Sequence, residues 1–325
     1  MLILDREFVR THLTYAACIP LMRDAMSALS RGETRQPLRS IVPLLENGRA
    51  FGVMPGALSA GGVFGAKLVS VYPQNHAAGL QSHQGAVVVF DPATGALSAL
   101  VHAGEVTGIR TAAASAAASQ VLARADASRL AVLGTGEQAA AHVRAFHVAF
   151  RLSSVTIWGR SVEQAAALAE RLAQETGLPV VAAPTVAEAV AEADVVCTTT
   201  ASAQPILHAA DVPAGCHVNL IGSSYDGPVE IDDDLVVRAR FIADSRAGVL
   251  AQGAEFLSAK RAGRVDDDHV VAEIGEVFLG LKPGRTSDQE ITIYKSLGHV
   301  AQDLASARYL LHLARTLNQG VHVPF

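Results

Sequence analysis

The residues best suited to chemistry fall into two sets. The first is a glycine motif, Leu130-Ala-Val-Leu-Gly134-Thr-Gly136-Glu137-Gln138-Ala139, which places GxGxxA between a run that reads as a strand and one that reads as a helix. That is the context in which a backbone cradles a dinucleotide pyrophosphate. Gly134 permits the tight turn, Gly136 lets the phosphates approach the main chain, and Ala139 lets helix and strand pack closely, while the helix N-terminus offers unpaired amides. Alone the motif fits a glycine turn in any α/β protein; inside a full βαβ alternation it reads as a nucleotide site. Where the second strand ends, the chain has Trp158-Gly159-Arg160-Ser161, with no acid for a ribose 2′-hydroxyl. A guanidinium and a hydroxyl at that point suit a 2′-phosphate, so NADP(H) is expected to be preferred, with NAD(H) as the alternative. Ser161 also fits as the cap of the following helix, a role compatible with the first.

The second set is cationic. Arg39 in Pro37-Leu-Arg39-Ser-Ile-Val-Pro43, Lys67 in Gly65-Ala-Lys67-Leu-Val and Arg110 in Thr107-Gly-Ile-Arg110-Thr111 stand in segments with little other charge. A cation within an apolar strand or helix start is costly unless paired. Its partner is either a structural acid or a bound carboxylate, and for a single residue taken alone the structural pairing or a snorkelling side chain is the commoner case.

Two domains are needed to position these sets, as expected for 325 residues at roughly 150 per domain. Up to about residue 128, short extended runs at 39–43, 50–54, 66–71 and 86–91 are separated by Gly and Pro turns, which reads as an α+β domain. The alanine-rich run from Arg110 to Arg124 reads as a buried connecting helix. Beyond it, strands at 129–134, 154–158, 179–183, 194–199, 216–221 and 239–243, the first four separated by helices at 137–150, 161–176 and 185–192, predict an α/β doubly wound parallel sheet of Rossmann type. A helical apolar stripe from Gly298 to Asn318 should return to the first domain. The expected boundaries are 1–122 plus 305–325 for one domain and 123–304 for the other.

Composition narrows the partners. The chain is 50% hydrophobic, 18% charged and of mean hydropathy +0.28, yet its apolar runs break before the roughly 20 residues of a membrane span. The opening MLILDREFVR has no basic stretch leading into an apolar one, so a cytoplasmic location is expected. A net charge of −5 argues against nucleic acid. Cys18, Cys197 and Cys216 are widely spaced, which favours neither disulfides nor zinc, and Cys197 reads as a small buried hydrophobe. The acidic runs Asp232-Asp-Asp234, read as preceding a strand, and Asp266-Asp-Asp268-His269 are taken as turn and strand-flanking residues, so no metal is expected.

Several stretches together resemble the ornithine cyclodeaminase and mu-crystallin family: PLRSIVP, GVMPG, AKLVSVYPQN, GAVVVFDPATGALSALVHAGEVTGIRTAAASAAA, LGTGEQA, WGRS, GPVEID and the late YKSLGH ending at His299. They run in order over nearly the whole chain. The resemblance implies a homodimer whose α+β domain binds substrate and forms the dimer contact. It further implies that Arg39, Lys67 and Arg110 hold the carboxylate of an amino or imino acid. Cofactor contacts are implied for Ser82, His83, Arg110, Thr111, Gly134, Gly136, Glu137, Gln138, Ala139, Gly159, Arg160, Ser161, Thr200, Ile221 and Ser296. One position departs from the cyclodeaminases, which carry an acid two places after the glycine matching Gly222; here that place holds Ser224. A serine does not titrate near neutrality and is a poor general base without help. Asp226, two residues on, could replace it only if the loop is rearranged, and it otherwise reads as turn chemistry before Gly227-Pro228.

The expected activity is therefore NAD(P)H-dependent reduction of small cyclic imino acids, Δ1-pyrroline-2-carboxylate to L-proline and the six-membered Δ1-piperideine-2-carboxylate to L-pipecolate, with Lys67 and Ser224 at the reacting group. The alternatives are ornithine cyclodeamination, alanine dehydrogenation, or a crystallin-type NADP(H)-binding protein of low turnover.

Overall fold

The computed structural model describes residues 1–44, 48–59 and 62–324. They form two compact units, Met1–Arg110 with His299–Phe325, and Thr111–Gly298. The first begins with β1 (Leu2–Leu4), α1 (Arg6–His12), α2 (Tyr15–Ser30), β2 (Thr34–Arg35), β3 (Ser40–Pro43), β4 (Ala50–Leu58), β5 (Phe64–Val71), β6 (His83–Phe90) and β7 (Leu97–His102). The chain leaves it along α3 (Ala103–Leu122). The second unit contains β8 (Arg129–Leu133), α4 (Glu137–Ala149), β9 (Ser154–Trp158), α5 (Val162–Thr176), β10 (Val180–Ala182), α6 (Val186–Val190), β11 (Val195–Thr198), β12 (His217–Leu220), α7 (Asp233–Arg238), β13 (Arg240–Ala243), α8 (Arg246–Gln252), α9 (Ala254–Arg261), β14 (Val270–Glu273), α10 (Ile274–Phe278) and β15 (Thr292–Lys295). The chain then returns to the first unit through α11 (Val300–Leu317) and β16 (Val321–His322).

In the first unit the sheet runs β16-β1-β7-β6-β5-β4-β2, with β3 also on β4. Strands β4 to β7 form an antiparallel meander. Lys67 lies mid-strand, opposite Met54 on one side and Val87 on the other. Two residues along β5, Val69 shares the buried face, as strand alternation requires. Helix α11 packs on β4, β5 and β6 and against α2. The N-cap of α2, Thr14, accepts from the amide of Ala17 and so fixes where that helix starts.

The second unit is a parallel sheet in the order β10-β9-β8-β11-β12-β15-β13-β14. Strand order reverses between β8 and β11, which makes that gap the topological switch point. Gly134 closes β8 with φ +136°, and a Cβ there would stand 2.5 Å from the Thr199 hydroxyl that follows β11. Only glycine lets the two strand ends come so close.

The unit boundary falls inside α3, not after it, and α11 belongs to the first unit from His299 rather than from 305. Hydrogen bonds explain both shifts. Ser115 meets the ring of His142, Ser119 accepts from Asn219, and the Leu122 carbonyl accepts from Thr292, so the second half of α3 is fastened into the parallel sheet. At the other end Asp303 is bonded to Lys67. The acidic run at Asp232 opens α7 as its N-cap and does not lead directly into a strand. Cys197 is fully buried within β11. Among the described residues no helix is long and apolar enough to cross a membrane.

Candidate active site

In the first unit the structure brings Lys67 and Arg110 together at a carboxylate that sequence reasoning did not single out. Asp303, on α11, is fully buried; Lys67 Nζ donates to its Oδ1 at 3.1 Å and lies 2.9 Å from Oδ2, and Arg110 Nε donates to Oδ1 at 3.0 Å. Arg110 Nη1 donates to Gln302 Oε1 at 3.0 Å, and the same oxygen accepts the amide of His299 at 3.2 Å. Arg39 acts electrostatically on both Lys67 and His299. Two cations therefore share one buried carboxylate, with the field of Arg39 acting on the same group of residues.

The charges tune one another. Burial pulls the Lys67 ammonium down to about 8; Arg110 and Arg39 push the same way, while Asp303 opposes them. Burial works to raise Asp303, but the Lys67 and Arg110 charges outweigh it and hold the carboxyl below its ordinary range. His299 is pulled down to about 4, by burial first and then by Arg39, Arg110 and Lys67. It is therefore neutral at pH 7. Its Nδ1 accepts from the amide of Ala301, capping α11, so the ring proton sits on Nε2, which is left as a donor. The Nε2 donor of Gln302 is buried without a partner among the described residues. His299, Gln302 and Asp303 were missed because a capping histidine, a glutamine and an acid on an apolar stripe carry no spacing signature; one available signal was the acid itself at a position that the stripe buries.

Ser82 and His83 lie at the start of β6, where the hydroxyl and His83 Nδ1 are 2.9 Å apart.

The second unit gathers most of the residues expected at a cofactor. Gly136 begins α4 with no side chain capping it, and a Cβ added there would meet nothing within 4 Å. Ala139 is fully buried against the sheet. At Gly159, a Cβ would collide with the Thr135 side chain at 2.4 Å, so the β9 turn also needs a glycine. Gln138 Oε1 and Ser296 Oγ are buried with no partner among the described residues. Open space at Gly136, an uncapped helix start and two orphaned polar atoms at these positions fit a nicotinamide dinucleotide. Glu137 opens α4, Thr111 lies buried on α3, and Thr200 and Ile221 follow β11 and β12.

Two expectations need correction here. Ser161 caps α5, accepting from the Gln164 amide at 3.2 Å, and its hydroxyl donates to Glu163 at 2.7 Å. A carboxylate thus stands at the Ser161 hydroxyl, where the sequence reading placed none, because the first helical turn folds residue 163 back onto its cap. Asp226 accepts from the two terminal guanidinium nitrogens of Arg261, at 2.7 and 3.1 Å, so it serves as an ion-pair partner on the loop. Ser224 is half-buried, with no hydrogen bond among the described residues.

The model of the ornithine cyclodeaminase/mu-crystallin family matches residues 1–316. The ketimine reductase mu-crystallin of Mus musculus is 34% identical over 309 residues, 94% of this chain and 95% of the mouse protein. The Δ1-pyrroline-2-carboxylate reductase of Thermococcus litoralis, solved with NADH and L-proline, superposes with TM-score 0.96 at 28% identity, covering 99% of this chain and 100% of that one. The iminosuccinate reductase of Paracoccus denitrificans, solved with NAD+, superposes with TM-score 0.91 at 31% identity over 99% of each chain.

Removing Asp303 strands two buried cations. Asp303→Ala is expected to lower the unfolding free energy by about 3 to 5 kcal/mol in urea denaturation. A loss below about 1 kcal/mol would mean that solvent or the remaining groups satisfy Lys67 and Arg110 without it.

Proposed function

The chain belongs to the ornithine cyclodeaminase/mu-crystallin family, and we propose that it reduces small cyclic imino acids, Δ1-pyrroline-2-carboxylate to L-proline and its six-membered analogue to L-pipecolate, with a nicotinamide dinucleotide. The observation that carries this reading is the cationic cluster of Arg39, Lys67 and Arg110 around one buried acid. When bound, the nicotinamide supplies the hydride that the imine carbon accepts. The protein's part is orientation and charge. Arg110, Lys67 and Arg39 hold the substrate carboxylate, and Lys67, pulled down to about 8, holds a proton at neutral pH that it can share with the ring nitrogen. His299 Nε2 and the unpartnered Gln302 Nε2 add donors next to the same cluster.

Ser224 favours reduction over cyclodeamination. Releasing ammonia from an amine takes an acid-base group at several steps, whereas a protonated imine needs only hydride. Asp226 is engaged with Arg261 and does not replace the missing acid in this arrangement. A second substrate reading, an open-chain imino dicarboxylate, is favoured by the excess of positive charge and by the likeness to the Paracoccus reductase. We assign homodimerisation to the exposed apolar residues Leu38, Ile41, Val42 and Phe51, on and beside β3 and β4.

For the cofactor we propose NADP(H), held through Arg160 at the 2′-phosphate. NAD(H) is the second reading, favoured by Glu163 on the Ser161 hydroxyl.

Purified protein should oxidise NADPH with pyrroline-2-carboxylate and release very little ammonia from L-ornithine with NAD, and Ser224→Ala should cost the reduction less than about tenfold, below the 10²- to 10⁴-fold typical of a general acid or base. Comparable rates of ornithine deamination would overturn the assignment, and faster turnover of iminosuccinate would move the substrate to the dicarboxylate. Because Lys67 is cationic below about pH 8 and neutral above it, kcat/KM for the imino acid should fall as pH rises through about 8. Lys67→Arg should move that inflection out of range; an unchanged profile would exclude Lys67 as its source. NADPH should bind more tightly than NADH, and Arg160→Asp should reverse the order by roughly ten- to hundredfold, the worth of a charge-assisted contact. Equal affinities in the parent and the variant would remove Arg160 from the site.

A further inference from the structure

Glu230 is fully buried, and none of the reactions considered above uses it. Its Oε1 accepts the amide of Thr200 at 2.6 Å and the Thr200 hydroxyl at 2.7 Å. Its Oε2 accepts the Thr198 hydroxyl at 2.6 Å and the amide of Gly222 at 2.8 Å. A carboxylate has about four acceptor directions, and here all are occupied by the protein. One side chain therefore ties the segment leaving β11 to the segment leaving β12. The approach is close enough that a Cβ on Gly222 would sit 1.9 Å from the Thr200 carbonyl and 2.5 Å from the Glu230 carboxyl.

The network continues behind Glu230. Its own amide donates to Glu255 Oε1 at 3.4 Å, and Glu255 Oε2 lies 2.7 Å from Lys295 Nζ, both side chains without solvent exposure. Lys295 ends β15 and precedes Ser296, whose hydroxyl is buried and unpartnered among the described residues. Thr200, Ile221–Gly222 and Ser296 thus follow three neighbouring strands, β11, β12 and β15, at their carboxyl ends. In an open α/β sheet that is the rim against which ligands bind.

We infer that Glu230 is a positioning residue for the nicotinamide end of the dinucleotide: it sets the direction of the loops after β11 and β12 and acts on the cofactor only through them. The inference rests on the proposed dinucleotide site. Because the GxGxxA turn and Arg160 lie on the other strands, after β8 and β9, loss of Glu230 should leave the adenosine end unaffected.

The experiment is titration of the full-length protein with NADPH and NADH and, separately, with ADP-ribose and 2′-phospho-ADP-ribose, which lack the nicotinamide. In either amide orientation of Glu230→Gln the nitrogen faces a backbone N–H, that of Gly222 or that of Thr200, two donors opposed. The dinucleotide dissociation constants should rise at least tenfold and those of the ribose fragments less than twofold. Thr198→Val, which removes a single donor to Glu230, should show the same split at about threefold, and it decides the matter if Glu230→Gln does not fold. An equal loss for dinucleotides and fragments would make Glu230 a support of the whole unit, and no loss for either would make it irrelevant to binding; both overturn the inference. Failure of the parent protein to bind any of the four ligands would instead overturn the dinucleotide site itself.

Discussion

The first unit depends on one electrostatic constraint: two cations cannot be buried in an apolar sheet and helix without a counter-charge. Lys67 on β5 and Arg110 on α3 are both almost wholly buried, and Asp303 on α11 satisfies them. The arrangement joins elements far apart in the chain, since Asp303 stands 236 residues from Lys67 and 193 from Arg110. It also fastens the C-terminal helix to the first sheet, since Asp303 is the acid bonded to both cations. Arg39 adds its field to that of the two cations at Lys67. Lys67 and Arg110 are held in fixed geometry by their bonds to Asp303 and Gln302.

The same field sets the state of His299. A histidine exposed to water would be partly charged near neutrality, but burial among three cations keeps this ring neutral and confines it to donating from Nε2. Burial first, and the neighbouring cations after it, remove the ring as a proton donor at neutral pH, and the Ala301 amide on Nδ1 leaves Nε2 as the donor.

Buried carboxylates organise the second unit as well. Asp194, before β11, accepts the amides of Ser128 and Arg129 and the side chains of Arg124 and Arg129, fastening the chain where it enters the parallel sheet. Glu230 does the corresponding work at the opposite, carboxyl end of the strands. Such fully satisfied buried acids contribute less to net stability than to holding one arrangement of the chain, because desolvating the charge offsets much of what its hydrogen bonds return. At a binding rim that specificity matters more than stability.

The sequence by itself determined the doubly wound unit, the glycine turn at Gly134 and the cationic character of Arg39, Lys67 and Arg110. These are local properties: strand and helix periods, a backbone that only glycine can adopt, and charges in apolar runs are all legible within a dozen residues. Other strands were less legible. Strand β1 spans three residues and β14 and β15 four each, too few to show an alternation. Tertiary structure alone decided the partners. Nothing near Lys67 in sequence announces Asp303, nothing near Thr200 announces Glu230, and the Arg261 that claims Asp226 lies 35 residues away. Coulomb and hydrogen-bond energies fall off over a few ångströms of space, whatever the separation along the chain, so the residues that set the charge and shape of these sites become visible only when the chain has closed on itself.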